Sequence, residues 1–91
     1  MVKQDMMKCE LGSVVQSLAG KDKDKLFIVS NILNEQYVHL VDGKNRTLLN
    51  PKKKKIKHLI VCQEKSELKE KFEQAQYLLD SDIRKVLKTL K

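Results

Sequence analysis

Tryptophan is absent from this 91-residue sequence, and its aromatic side chains are limited to two tyrosines and two phenylalanines. A hydrophobic core must therefore be built mainly from leucine, isoleucine and valine. Because a chain of this length supports only one small core, we expect a single small domain with an appendage. The same shortage of rings argues against a stacking platform for single-stranded nucleic acid.

Cysteine is also scarce. Cys9 and Cys62 lie far apart in the sequence, and neither belongs to a CxxC pair. This spacing argues against a zinc site, so we expect no metal and two reduced thiols, as in most cytoplasmic proteins. No apolar run approaches the roughly 20 residues of a membrane span, and the first nine residues lack the apolar centre of a signal peptide. We therefore expect a cytoplasmic protein without a membrane partner.

No combination of residues is typical of an active site. The sequence has no phosphate-cradling glycine loop, no cluster of metal ligands, and no Ser/His/Asp or Cys/His spacing of a known kind. His39 lies in an expected strand and His58 lies in a basic segment, both without an evident acidic partner. We expect neither enzymatic activity nor a cofactor.

Positive charge is in excess, and it is concentrated in the first two thirds of the chain. The formal net charge is +7. Residues 8–61 carry eleven basic and five acidic side chains, a net +6, whereas residues 62–91 carry seven basic and six acidic ones, a net +1. A field concentrated in this way favours a polyanionic partner, most often nucleic acid and less often an anionic membrane.

The densest charge lies at residues 52–57, where five of six residues are lysines. Such a run is usually a solvated tail or a targeting signal. Here Leu48 and Leu49 precede it and residues 59–61 are apolar, so we expect the lysines to belong to a folded β domain. In an extended segment alternate side chains point in opposite directions. If Ile56 faces the core of an unbroken strand, the outward set is Lys53, Lys55 and Lys57, and a bulge would reverse this.

Five short segments separated by polar turns are typical of β-strands. Residues 26–33 are the most apolar and predict a central, well-buried strand. Asp42-Gly43 indicates a hairpin, and Pro51 fits a strand end or a sheet edge. The five predicted strands lie within residues 14–18, 26–33, 37–41, 45–49 and 56–61, and their spacing predicts a small antiparallel barrel.

The pattern becomes helical after residue 63. Ser66 is a plausible N-cap for a helix over residues 66–79, and the Asp80-Ser81-Asp82 segment resembles a second cap before a helix over residues 82–90. One longer, kinked helix is the alternative. The apolar faces need a partner, which is the barrel, each other, or another molecule. Those faces consist of Leu68, Phe72, Ala75 and Leu79, and of Ile83, Val86, Leu87 and Leu90.

Residues 10–61 resemble the KOW family of RNA-binding domains. The resemblance is carried by the segment from Gly12 to Asp22, by the strand with Phe27, Val29 and Ile32, and by the hairpin at residues 38–43. It continues with Arg46 and residues 51–55 and 57–59, which are similar to KOW-type large-subunit ribosomal proteins and to short bacterial KOW proteins. The division that follows is a lead-in at residues 1–9, a KOW barrel at 10–62 and a helical extension at 63–91.

This resemblance implies a five-stranded SH3-like barrel that binds RNA, usually ribosomal RNA, in a ribosomal or ribosome-associated context. One departure is that Asp24 and Lys25 occupy the region where the family turn often has a further glycine. The family also includes modules that contact protein. The alternative function is therefore an adaptor in transcription or translation, which would use the barrel and the C-terminal helices to bind ribosomal or other proteins.

RNA binding by such a domain depends on basic side chains that meet phosphates and release condensed counterions. The Lys/Asp alternation at residues 20–25 is equally compatible with a solvated loop and with an anion-binding loop. A tyrosine ring such as that of Tyr37 is able to stack on a base, but packing in the core or in the hairpin is the role that we favour. The predicted RNA-binding residues are Lys21, Lys23, Lys25, Lys44, Arg46, Lys52, Lys53, Lys54, Lys55, Lys57 and His58. The predicted structural turn residues are Gly12, Gly20 and Gly43.

Overall fold

One antiparallel sheet of five strands is followed by two helices, so the expected mainly β fold is confirmed. The computed structural model describes residues 8–63, 68–74 and 78–90. The sheet order is β4-β3-β2-β1-β5. The strands are β1 (Val14–Ser17), β2 (Leu26–Ile32), β3 (Tyr37–Val41), β4 (Lys52–Lys55) and β5 (Leu59–Gln63), and the helices are α1 (Lys69–Glu73) and α2 (Asp80–Thr89).

The central strand is β2, as its apolar sequence predicts. Val29 pairs with Leu40, but the next pair is Asn31 with His39, so Ser30 is an extra residue in β2. A bulge of this kind bends a strand and increases its twist. The sheet can therefore curve around one of its own faces.

Each face of the sheet contributes to a buried core, because the inner face forms one core and the helices cover part of the outer face. The two faces alternate along each strand, as the two-residue period of a strand requires. The inner core consists of Val15, Phe27, Val29, Val38, Leu40 and Leu59. The outer core consists of Val14, Ile28 and Val41 from the sheet and Leu68, Ile83, Val86 and Leu87 from the C-terminal region. The outer face of the sheet is thus the partner of the buried part of the predicted helical faces, while Leu79 and Leu90 of those faces are exposed.

The two end strands of the sheet are β4 and β5, and a short 3-10 turn at Ile56–His58 joins them. The Ile56 N–H donates to the Gln36 carbonyl at 2.8 Å, and the Leu18 N–H donates to the His58 carbonyl at 2.9 Å. Across the described ranges, no ladder pairs β4 with β5. The hydrogen-bonded closure of the barrel therefore stays a prediction.

The predicted strand at residues 45–49 is wrong, because acidic side chains bind its backbone donors. Asp42 Oδ1 accepts the N–H groups of Lys44 and Arg46, both at 2.8 Å. The Leu48 N–H donates to Asp80 Oδ1 at 2.8 Å. The segment forms only one isolated bridge with the chain that follows, and β3 and β4 are joined by a long connector at residues 42–51 rather than by a tight hairpin.

Two further boundaries differ from the prediction. The strand expected at residues 56–61 begins as the 3-10 turn and becomes β5 only at Leu59. The lysine run itself is the fourth strand, which β3 stabilises by pairing along its whole length. Neighbouring strands therefore override the low strand preference of lysine.

The helices are shorter or shifted relative to the prediction. The first ends at Glu73, and the predicted cap Ser66 lies outside the described residues, as do Ala75 and the lead-in residues 1–7. The second begins at Asp80 rather than at residue 82, because Asp82 Oδ2 accepts the Leu79 N–H at 3.0 Å from within the first turn. Over the described part of the chain, no helix is both long and apolar enough to cross a membrane.

Candidate nucleic-acid interface

The lysine strand β4 forms one edge of the sheet and pairs with β3 in a regular register. Lys53 lies opposite His39, and Lys55 lies opposite Tyr37. Residues directly opposite each other share a face of the sheet. Lys53, Lys55 and Lys57 are exposed, and we call them the outer lysines. They are the outward set that the sequence indicates.

The alternate pair, Lys52 and Lys54, has a different environment, and we call these two the inner lysines. Lys52 Nζ donates to the carboxylate of Asp22, and Lys54 Nζ donates to the carbonyl of Ala19 at 3.1 Å. Both partners lie in the turn between β1 and β2, so the inner lysines connect that turn to the edge strand. The sequence predicts RNA contact for both lysines, whereas the structure places their ammonium groups in intramolecular bonds.

The ring of Tyr37 lies beneath two of the outer lysines. Its centroid is 4.6 Å from Lys53 Nζ and 5.8 Å from Lys55 Nζ. Both distances fall within the ~6 Å range of a cation–π interaction, which holds ammonium groups over the negative face of a ring. Tyr37 thus positions two like charges close together. The sequence suggests packing for this tyrosine, because the register that sets it beneath the lysines is not visible in the sequence.

Asp22 is the acidic centre of the basic surface. Besides Lys52, its carboxylate contacts Lys25 Nζ at 3.7 Å. The hydrogen bond from Lys52 lowers the pKa of Asp22 below its ordinary value of 3.8. Burial raises this pKa by less than the hydrogen bond lowers it, and the charges of Lys52, Lys25 and Arg46 lower it further. Asp22 is therefore ionised at neutral pH and offsets part of the positive field. From the sequence, Asp22 is expected only to form part of a charged loop.

The turn between β1 and β2 presents further lysines. Gly20 has φ +81°, and Asp24 has φ 73° with its N–H donating to the Ser17 carbonyl at 2.7 Å. Aspartate tolerates this left-handed region better than most residues. Asp24 thus closes the turn in a conformation that few residues other than glycine adopt. Lys21 and Lys23 are exposed on this turn.

The remaining predicted residues lie away from the outer lysines or are partly buried. Arg46 is half-buried, and its carbonyl accepts the N–H groups of Asp42 and Gly43. His58 is half-buried in the 3-10 turn. Lys44 is exposed on the connector and lies beside α2. The structure therefore divides the eleven predicted residues between β4, the 3-10 turn that follows it, the β1–β2 turn and the connector.

No protein-family model matches this chain, and no curated protein matches it. The resemblance to the KOW family accordingly stays a prediction.

Proposed function

We propose that this protein binds structured RNA, with ribosomal RNA as the expected target and a role in or near the ribosome. The observation that carries the proposal is the alternation along β4. The inner lysines are bonded within the chain, while Lys53 and Lys55 alternate with them along β4 and are exposed, as is Lys57 in the turn that follows. A charged surface that served only solubility would have no need of an aromatic ring that holds two ammonium groups together.

Phosphate contact is the chemistry that fits this surface. Lys53 and Lys55 are alternate residues of β4, and the ring of Tyr37 holds their ammonium groups on one face of the edge strand. Lys57 follows them in the 3-10 turn. Each group that neutralises a phosphate releases condensed counterions, and this release supplies much of the affinity. The Tyr37 ring is already covered by the ammonium group of Lys53. The proposed recognition therefore depends on the shape and phosphate positions of folded RNA rather than on base stacking.

A lysine-rich edge strand also has a purely structural explanation. Charged side chains on an exposed edge prevent it from pairing with the edge of another sheet. That role needs charge of either sign and does not need a particular partner. RNA binding needs positive charge, and it predicts an affinity that falls with salt concentration.

The alternative is an adaptor that uses the barrel and the C-terminal helices. Ile83, Val86 and Leu87 of α2 are buried against the sheet and offer no surface to a partner, whereas Leu79 and Leu90 are exposed. Contacts of the assembled domain with ribosomal proteins remain part of the proposal. The proposed location is the cytoplasm, where Cys9 and Cys62 would stay reduced and ribosomal RNA is present.

The test is a titration of the protein with a structured ribosomal RNA fragment over a series of salt concentrations. We expect the double variant Lys53→Gln/Lys55→Gln to bind RNA more weakly. The slope of log affinity against log salt concentration should become shallower by about 1.4–1.8, which is the contribution of two phosphate contacts. The matched control is Lys71→Gln/Lys85→Gln, which removes the same charge from the two helices. An unchanged slope in the first variant would move the site to the β1–β2 turn, and no binding by the wild type at low salt would overturn the proposal.

A further inference from the structure

A second basic surface is formed by the β1–β2 turn, the connector and α2. The sequence alone does not predict that these three segments form one site. An open cleft of about 790 Å³ is lined by residues of α2, of that turn and of the connector. Its lining combines the apolar side chains of Leu26 and Leu87 with polar and charged side chains. The lining residues are Gln16, Asp24, Lys25, Leu26, Asp42, Lys44, Asn45, Arg84, Leu87 and Lys88.

Close contacts and hydrogen bonds join the connector to α2 beside the cleft. Gly43 has φ +77°, and a Cβ atom on it would lie 2.5 Å from the carbonyl oxygen of Asp80. Arg84 Nη1 donates to the Gly43 carbonyl, and the Leu48 N–H donates to Asp80 Oδ1. These bonds position Lys44 and Arg84 before any ligand arrives, so binding would need little ordering of the backbone.

The charge of the lining favours an anion. Four cationic and two acidic side chains give a net charge of +2. The Asp42 carboxylate already accepts two backbone N–H groups. Arg84 and Lys88 lie one helical turn apart on the same side of α2. The bond to Gly43 uses one of the five guanidinium donors of Arg84, which leaves further donors for a phosphate.

The cleft is also continuous with the proposed RNA surface. Lys25 lines the cleft and contacts Asp22, and Asp22 binds Lys52 of β4. The cleft and the lysine strand therefore share the β1–β2 turn, which contributes Lys25 to the cleft and Asp22 to the contact with β4.

We propose that this cleft binds phosphodiester groups of the same RNA, so that the C-terminal helix α2 is part of the RNA-binding surface. This inference rests on the proposed function and adds to it. The sequence places almost all of the excess charge in residues 8–61, yet Arg84 and Lys88 face a cleft whose other basic residues come from that part.

The test compares two double variants of the full chain in the same RNA titration. Lys44→Gln/Lys88→Gln removes two cations from the cleft, and Lys71→Gln/Lys85→Gln removes two cations that do not line it. We expect the cleft variant to bind about two- to thirtyfold more weakly and to lower the salt slope by about 1.4–1.8. Thermal melting of each variant checks that the fold is retained.

The outcomes separate the two proposals. If the wild type binds RNA and the cleft variant behaves like the helix control, the cleft assignment is overturned while the β4 surface stands. If the wild type binds no structured RNA at low salt, both are overturned. If both double variants weaken binding to the same extent, the effect is one of total charge, and the cleft assignment is overturned.

Discussion

The contact between Asp22 and Lys52 gives the sharpest test of how the lysine strand is held. The two residues connect the β1–β2 turn to the sheet edge, and they are 30 positions apart in the chain. We consider the variants Asp22→Asn and Lys52→Met and the protein that carries both. If the contact stabilises the fold, the double variant loses less stability than the two single variants together.

The magnitude follows from the exposure of the pair. The side chains of Asp22 and Lys52 are 21% and 22% exposed, so water screens their attraction only in part. Fully exposed ion pairs contribute about 0.2–1 kcal/mol, and hydrogen bonds to charged groups contribute about 1.5–3 kcal/mol. We expect a coupling free energy of about 1–1.5 kcal/mol, between these two ranges.

The coupling should also depend on pH in a defined direction. The folded-state pKa of Asp22 lies below its ordinary value of 3.8, so the unfolded chain binds the proton more readily. The stabilisation is therefore complete above the unfolded-state pKa and is lost as the pH falls through the folded-state pKa. At neutral pH the contact is fully formed, and in strong acid it contributes nothing.

The assay is urea denaturation of the four proteins at neutral pH and again in acid. Asp24→Asn provides the matched control, because Asp24 lies in the same turn and is not the carboxylate that Lys52 contacts. The control cycle with Lys52→Met should give a coupling near zero. A coupling below about 0.3 kcal/mol for Asp22 at neutral pH, which is within the error of additivity, would refute this account of the contact. So would a coupling that persists in strong acid.

Two further predictions concern the close approach of Gly43 to α2 and the ring of Tyr37. Gly43→Ala should cost about 2–5 kcal/mol of unfolding free energy, since it combines a left-handed residue with a clash against Asp80, whereas Gly20→Ala should cost only about 1–2 kcal/mol. Equal losses in urea denaturation would contradict the close approach of α2. Tyr37→Leu should weaken RNA binding about two- to fivefold in the same titration, while Tyr37→Phe keeps the ring face and should bind normally. Weakening in both variants would implicate the hydroxyl instead.

Part of this arrangement can be predicted from local sequence. The apolar run at β2 marks the central strand. The two-residue period along the lysine run gives Lys53, Lys55 and Lys57 as the exposed set on the condition that Ile56 faces the core, and these three are exposed although the strand ends at Lys55. The helical spacing of Ile83, Val86 and Leu87 marks a buried face. In each case the side chains of one short segment carry the signal.

The rest depends on contacts between distant residues. Residues 45–49 look like a strand, but Asp80 binds the Leu48 N–H from 32 positions away. Tyr37 lies beneath lysines because β3 and β4 pair in one particular register, and the long connector leaves that register open in the sequence. The i, i+4 spacing of Arg84 and Lys88 is visible in the sequence, but the cleft that it faces is formed by other elements.

The position of each lysine in β4 determines what its removal would do. Neutralising Lys52 or Lys54 breaks a bond to the β1–β2 turn, so its first effect is on stability. Neutralising Lys53 or Lys55 removes an exposed charge above Tyr37, so its first effect is on binding. Deleting or neutralising the whole run would merge the two effects. Only variants that change alternate lysines can separate the strand as a structural edge from the strand as an RNA-binding surface.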